Sequence, residues 1–162
     1  MTKAHSAGPI LVPVDFSATS EAALMHAVRL ASCLALPLLV LHVVHDPGTM
    51  PDYYGKALKK KQLARIEDGA AAMFDELIAS AEEKHPEFKK LKKRDSMLVK
   101  GLPSGRILEV ADHVDASMIV IGSKGMTGLK HLMMGSVAEQ VARLAKMPVT
   151  IVKSAHPWES TS

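Results

Sequence analysis

Short, uniformly apolar runs alternate along this chain with longer segments whose apolar positions recur every three or four residues. The first run, Ile10-Leu-Val-Pro-Val14, lies between Gly8-Pro9 and Asp15. It is partly β-branched and apolar on both faces, which predicts a buried strand. Pro13 has no N–H to give a sheet ladder, so it belongs near the strand end. Ser17-Ala-Thr-Ser-Glu21 then offers N-cap candidates and an acid for a first helical turn. To about Ala35, a stripe of Ala23, Ala27, Leu30, Ala31 and Leu34 predicts an amphipathic helix, with Pro37 just beyond its end.

Leu38 to Val44 is a second apolar run, as expected of a parallel strand covered on both faces. Asp46 to Gly55 holds two Pro, two Gly and two Tyr and reads as a loop. From about Lys56 to Lys84, the spacing of Leu63, Ile66, Ala70, Met73, Leu77 and Ala81 predicts a long helix that Pro86 closes. Ser96 to Lys100 is a third strand, and the turn Gly101 to Gly105 leads into a helix from about Ser104 to Val114. Met118 to Gly122 is a fourth strand, residues 122–135 a glycine-rich loop, and Ser136 to about Lys146 the last helix. Val149 to Lys153 is a fifth strand. Strands that alternate with helices argue for an α/β fold, a parallel sheet with helices on both faces and right-handed crossovers. The expected organisation is one domain over residues 1–154, followed by a frayed tail at 155–162.

Composition narrows the class. At 162 residues, 48% hydrophobic and 23% charged, the chain can bury a sizeable core, and global disorder is excluded. Cys33 is the only cysteine, which excludes a disulfide scaffold. The longest apolar run, Cys33 to Leu41, contains Pro37 and stops at His42, well short of the ~20 residues of a membrane span. The polar start, Met1 to Ser6, lacks the apolar region of a signal peptide, so a cytoplasmic location is expected. Net charge is +3, concentrated in Lys59-Lys60-Lys61 and in the run from Lys89 to Arg94. With three Phe, two Tyr and one Trp available for base stacking, these runs read as solvated surface. Neither nucleic acid nor membrane is expected as a partner.

In open α/β sheets, ligands bind beyond the carboxyl ends of the strands, where strand order reverses. The first strand ends in Asp15, and the fourth ends in Gly122. If these strands are neighbours, Asp15 and the glycine loop share one crevice. Glycines let backbone amides approach an anion, and Gly135-Ser136 stands at a helix start, where free N–H groups and the dipole favour phosphate. Each such interaction is modest, so several must converge for micromolar binding, about −8 kcal/mol. The loop lacks the spacing of a P-loop, and no Gly-x-Gly-x-x-Gly follows the first strand. By spacing alone, it serves equally as an anion cradle or as a turn needing positive φ.

These residues resemble the universal stress protein family. Gly122, Gly125, Gly135 and Ser136 match its pattern Gly-x2-Gly-x9-Gly-Ser/Thr. The likeness extends to Ile10-Leu-Val-Pro-Val-Asp-Phe-Ser17, to Leu39-Val-Leu-His-Val43 and to Val99-Lys-Gly-Leu-Pro103. The resemblance implies a Rossmann-like three-layer sandwich with an open five-stranded parallel sheet in the order 3-2-1-4-5. It implies ATP across the switch point, as in the ATP-binding branch. Carried over residue by residue, Pro13 and Asp15 lie by the adenosine, and Asp15 is placed for ribose or Mg²⁺-linked contacts. Val43 presents backbone to the adenine, and Ile121 and Gly122 lie under the ribose and phosphate region. Gly125, Gly135, Ser136 and Val137 surround the phosphates. The resemblance also implies a homodimer paired through the last strand, Val149 to Val152.

The remaining candidates carry less. Lys124 and Lys130 read as solvated loop lysines, and Thr127 as a turn cap. His42, inside an apolar strand, reads as a hydrogen-bonded structural residue. The eight histidines show no zinc-binding spacing. Met126, Met133, Met134 and Met147 read as packing residues. Catalysis would need a second acid or a water-activating group, and none stands out. The expected function is therefore a regulatory ATP-binding module of the stress response whose loop orders on binding and alters a surface read by a protein partner. The alternatives are a slow ATPase or autophosphorylating enzyme, and an interaction module that holds AMP or cyclic AMP.

Overall fold

The computed structural model describes residues 7–45, 60–91, 93–125 and 134–153, with only the backbone of residues 60–63. The elements are β1 (Ile10–Pro13), α1 (Ala18–Leu34), β2 (Leu38–His45), α2 (Lys60–Lys84), α3 (Pro86–Lys90), β3 (Arg94–Gly101), α4 (Pro103–His113), β4 (Met118–Gly122), α5 (Ser136–Leu144) and β5 (Val149–Val152). The strands form one parallel sheet in the order β3-β2-β1-β4-β5. Pro13 is the last residue of its strand, as its missing donor requires.

Strand alternation splits the core between the two faces of the sheet. Ile10, Val12, Leu38, Val40 and Val120 meet α1, α2 and α3 on one side. Leu11, Leu39, Leu41, Ile119 and Ile121 meet α4 and α5 on the other. The crossovers account for this division. The chain steps from β1 to β2 to β3 in one direction over one face, then returns to β4 and β5 over the other. The switch point therefore falls between β1 and β4.

Helix α1 starts where Ser17 caps it, its side chain accepting from Ser20 N–H at 3.2 Å. Ala23, Ala27 and Ala31 are buried against the sheet, and their small side chains let the helix axis approach closely. The predicted stripe overreaches at Leu34, which is 51% exposed at the last turn. On α2 the stripe is displaced. Ile66 and Met73 are 43% and 50% exposed, whereas Phe74 and Ala81 are buried, with Leu77 and Ile78 packed beside them. This helix meets the core through its carboxyl half, and Glu67 and Glu82 tie it to Lys100 and Arg94 at 2.5 Å each. Pro86 closes α2 as predicted but also opens the short helix α3, which the sequence reading missed. Its Phe88 is buried, with the Arg94 guanidinium 4.8 Å from the ring centroid. Part of the basic run at 89–94 is thus structural rather than simply solvated. Among the described residues, no helix is long and apolar enough to cross a membrane.

Two glycines separate space from flexibility. A Cβ on Gly8 would stand 1.8 Å from the carbonyl oxygen of Asp115, whereas one on Gly69, inside α2, would meet nothing within 4 Å. Gly8→Ala should lower stability by about 1–3 kcal/mol, read as a lower urea midpoint at unchanged slope. Gly69→Ala should raise stability by about 0.5–1 kcal/mol in the same assay.

Candidate functional site

The central strand is the shortest path to the site. β1 pairs with β2 only as far as Pro13 with Leu41, so His42 to His45 of β2 run on beyond it. β1 pairs with β4 as far as Leu11 with Ile119, and β4 continues to Gly122. The carboxyl edge of the sheet therefore carries a notch above β1, flanked by two longer strands. The last rung is Val14 N–H donating to Leu41 O at 2.8 Å. In a parallel ladder, a residue turns its N–H and C=O to the same neighbour, and alternate residues share that side. Val43 thus points both groups the way Leu41 does, toward the notch.

A cavity of about 590 Å³ occupies this notch and the space under α4 and α5. Pro13, Asp15, Val43, Ile121, Gly122, Gly125, Gly135, Ser136 and Val137, the residues singled out from the sequence, all line it. So do Val14, Ser20, His45, Pro103, Ile107, Ser123, Lys124 and Ala138, of which the sequence marks only Lys124 as a ligand candidate. His45 was findable, because it lies two residues after Val43 on the same face of β2. Pro103 closes the Val99 to Pro103 segment of the family likeness, but only the crossover of α4 brings it and Ile107 over the notch. Thr127, Lys130, Met126 and Met133 lie outside the described residues. Met134 and Met147 pack against the α4–α5 core, as expected.

The floor beside β1 is a tight turn. Asp15 Oδ1 accepts from Ser17 N–H at 3.1 Å and from Ser17 Oγ at 2.5 Å. This closes an Asx turn around Phe16, whose φ is 66°. On the opposite face the Phe16 ring lies 4.4 Å from that of His42, and His42 Nδ1 donates to Val14 O at 2.8 Å. His42 thus fastens the chain just before the turn, as a structural residue.

The wall beyond β4 is pinned from three directions. Thr19 Oγ1 donates to Lys124 O at 2.5 Å, and Ser17 Oγ reaches the same carbonyl at 3.4 Å. Ser123 N–H donates to Val152 O at 2.8 Å, and Gly135 N–H to Ser123 O at 2.6 Å. The last contact closes the base of the loop and engages the Gly135 amide, leaving Ser136 and Val137 to head α5. None of Gly122, Gly125 and Gly135 has a positive φ; among the described glycines only Gly101 does, at 139°. The need is for room. A Cβ on Gly122 would lie 2.8 Å from the Thr19 backbone, and one on Gly125 would lie 2.7 Å from Asp15 Oδ2. At Gly135 the nearest atom would be at 3.4 Å.

Among the described residues, no group of three or more His, Cys, Asp or Glu could hold a metal ion by itself. Asp15 is the one carboxylate among the described lining residues. Any divalent cation there would draw its other ligands from a bound ligand's oxygens and water.

Comparison with known proteins agrees with this architecture. The sequence model of the universal stress protein family matches residues 7–153. Universal stress protein MJ0577 of Methanocaldococcus jannaschii is 31% identical over 152 residues, covering 89% of this chain and 93% of its own. The solved universal stress protein UspA of Lactobacillus plantarum shares the fold, with a TM-score of 0.75 at 24% identity over 93% of this chain and all of its own. A universal stress protein of Archaeoglobus fulgidus, solved in complex with dAMP, is 26% identical with a TM-score of 0.60, over 91% of this chain and 99% of its own.

The packing distances separate the glycines by role. Gly122→Ala drives a methyl group into the α1 backbone and should cost about 1–3 kcal/mol of stability by urea denaturation. Gly135→Ala, with room at 3.4 Å and an extended φ of −75°, should cost under about 1 kcal/mol in the same measurement.

Proposed function

We infer that this chain, which belongs to the universal stress protein family, holds an adenine nucleotide in the notch above β1 and acts as a nucleotide-dependent regulatory module. The observation that carries the reading is the two-ended form of the cavity. At one end, Val43 turns backbone groups toward an apolar slot walled by Pro103 and Ile107. At the other, Ser136 and Val137 head the nine-residue helix α5, whose first-turn amides and dipole favour an anion. The ends are separated by two strand spacings, about 10 Å, comparable to the reach from a purine to its phosphates. A volume of about 590 Å³ suits a ligand of that size. The dAMP held by the Archaeoglobus fulgidus relative supports the same class of ligand.

The ligand proposed here is ATP. Its phosphates would meet Gly125, Ser136 and Val137, its ribose would lie over Ile121 and Gly122, and its adenosine would sit by Pro13 and Val43. Mg²⁺ would reach the protein through Asp15 together with the phosphates. Binding is favoured over turnover, because Asp15 is held by the N-cap of α1 through two contacts at one oxygen. Such a carboxylate is better placed to orient a ligand than to activate water. β5 forms one border of the sheet, so a second copy pairing along Val149 to Val152 would cover that edge.

The test begins with purified protein, denatured and analysed for released small molecules by mass spectrometry beside a Gly125→Val variant. An adenine nucleotide in the parent and not in the variant is the expected result. Should none co-purify, Mg-ATP at ~100 Kd should still add about 2.7 kcal/mol to the parent's stability in a melting assay. Absence of both the released nucleotide and the shift overturns the reading.

A further inference from the structure

The polar side chains along the crevice divide into those used by the fold and those facing its ends. Asp15 is engaged by Ser17, and Ser20 Oγ donates to Ser17 O at 2.9 Å while Asp15 N–H reaches it at 3.3 Å. Ser123 is buried, its hydroxyl directed to Lys153 O at 3.4 Å. Of the described lining residues, this leaves His45, Lys124 and Ser136. His45 belongs to the β2 end of the notch, and Lys124 and Ser136 to the far side of β4.

We propose that recognition is divided between these ends: His45 reads the nucleoside and Lys124 reads the length of the phosphate chain. Preference among AMP, ADP and ATP is then set by Lys124 and is independent of His45. The inference rests on the reading of the crevice as an adenine-nucleotide site.

The β2 end is walled by Val43, Pro103 and Ile107, which suit the faces of a flat base but offer its edges no side-chain partner. His45 is the only polar side chain the described residues supply there. It shares a face of β2 with Val43 by strand alternation and is exposed at the strand end. A neutral imidazole carries one donor and one acceptor, enough to satisfy a base edge or a ribose hydroxyl that would otherwise lose its water. Lys124 is the one Lys or Arg among the described lining residues. Thr19 and Ser17 hold its carbonyl, so its backbone is fixed while its side chain remains a long, adaptable point charge. Attraction to a point charge grows with each added phosphate. His45 stands two strand spacings away, about 10 Å, and is exposed at its strand end, so distance and solvent both weaken its coupling to that charge.

The experiment measures Kd for AMP, ADP and ATP by calorimetry at fixed Mg²⁺ and salt. It compares the full chain with His45→Ala, His45→Gln and Lys124→Met, each checked for folding by circular dichroism. His45→Ala should weaken all three nucleotides by the same factor, about five- to tenfold, and His45→Gln should restore part of the loss. Lys124→Met should leave AMP within about twofold and weaken ATP by about tenfold or more. The inference is overturned if His45→Ala has no effect or changes the ATP-to-AMP ratio, or if Lys124→Met weakens all three alike. A wild-type chain that binds none of the three overturns the reading of the crevice itself. That outcome is distinct from a wild type that binds while its variants fail to divide.

Discussion

The early end of β1 is the constraint on which the rest depends. Pro13 cannot donate to a ladder, and the chain leaves the sheet after one more bond, from Val14 to Leu41. Its neighbours continue, and backbone groups that a longer central strand would have paired face a cavity instead. Buried backbone polar groups without partners are costly. A notch of this kind is therefore stable only if water or a ligand fills it. Open parallel sheets offer such a place at the switch point, where the connections after β1 and β4 leave toward opposite faces.

Departure from the sheet at that point needs a sharp turn, and the turn joins the two faces of the molecule. Phe16 takes a left-handed conformation that costs a non-glycine residue about 1–2 kcal/mol. Two arrangements hold it there. Asp15 closes the backbone from the crevice side through Ser17, and the Phe16 ring packs against His42 on the side of α1. Phe16 also lines a groove of about 460 Å³ between α1 and α2, together with Met25, Met73 and Leu77. The carboxylate in the crevice and the aromatic ring in the groove are adjacent residues of one stiff turn, so neither can shift far alone.

Much of this was legible in the sequence, and the limits have physical causes. Apolar runs of four to eight residues and the placement of Pro13 and Ser17 are local signals, and the strands and α1 follow them closely. The nine predicted residues also line one cavity, because the topology brings the ends of β1, β2 and β4 and the start of α5 to one edge of the sheet. What failed depended on neighbours distant in sequence. Which stripe of α2 is buried is decided by how little of that helix reaches the sheet, hence the exposed Ile66 and Met73. Pro86 reads as a stop, and nothing local says that it also begins α3. Pro103 and Ile107 enter the site only through the path of α4. The glycine pattern was readable, but its cause was not. Gly122 and Gly125 are glycines because the α1 backbone and the Asp15 carboxylate occupy the positions of a Cβ.

The same contacts decide how the site can respond to a ligand. Ser123 and Lys124 are tied to α1, β5 and Gly135 by backbone carbonyls and short hydroxyl bonds. Asp15 is tied to the helix cap that also sets the start of α1. Ordering costs at these positions are met on folding, not on binding, so a ligand that fits loses little of its interaction energy to them. On the proposed reading, the walls would discriminate by shape and the least constrained side chains by charge. The proposed division of recognition fits this: the backbone at Gly122 and Gly125 is closely packed, whereas Lys124, the one Lys or Arg among the described lining residues, keeps a long side chain. A change at Lys124 would then alter the charge at the cavity without disturbing the short central strand that creates it.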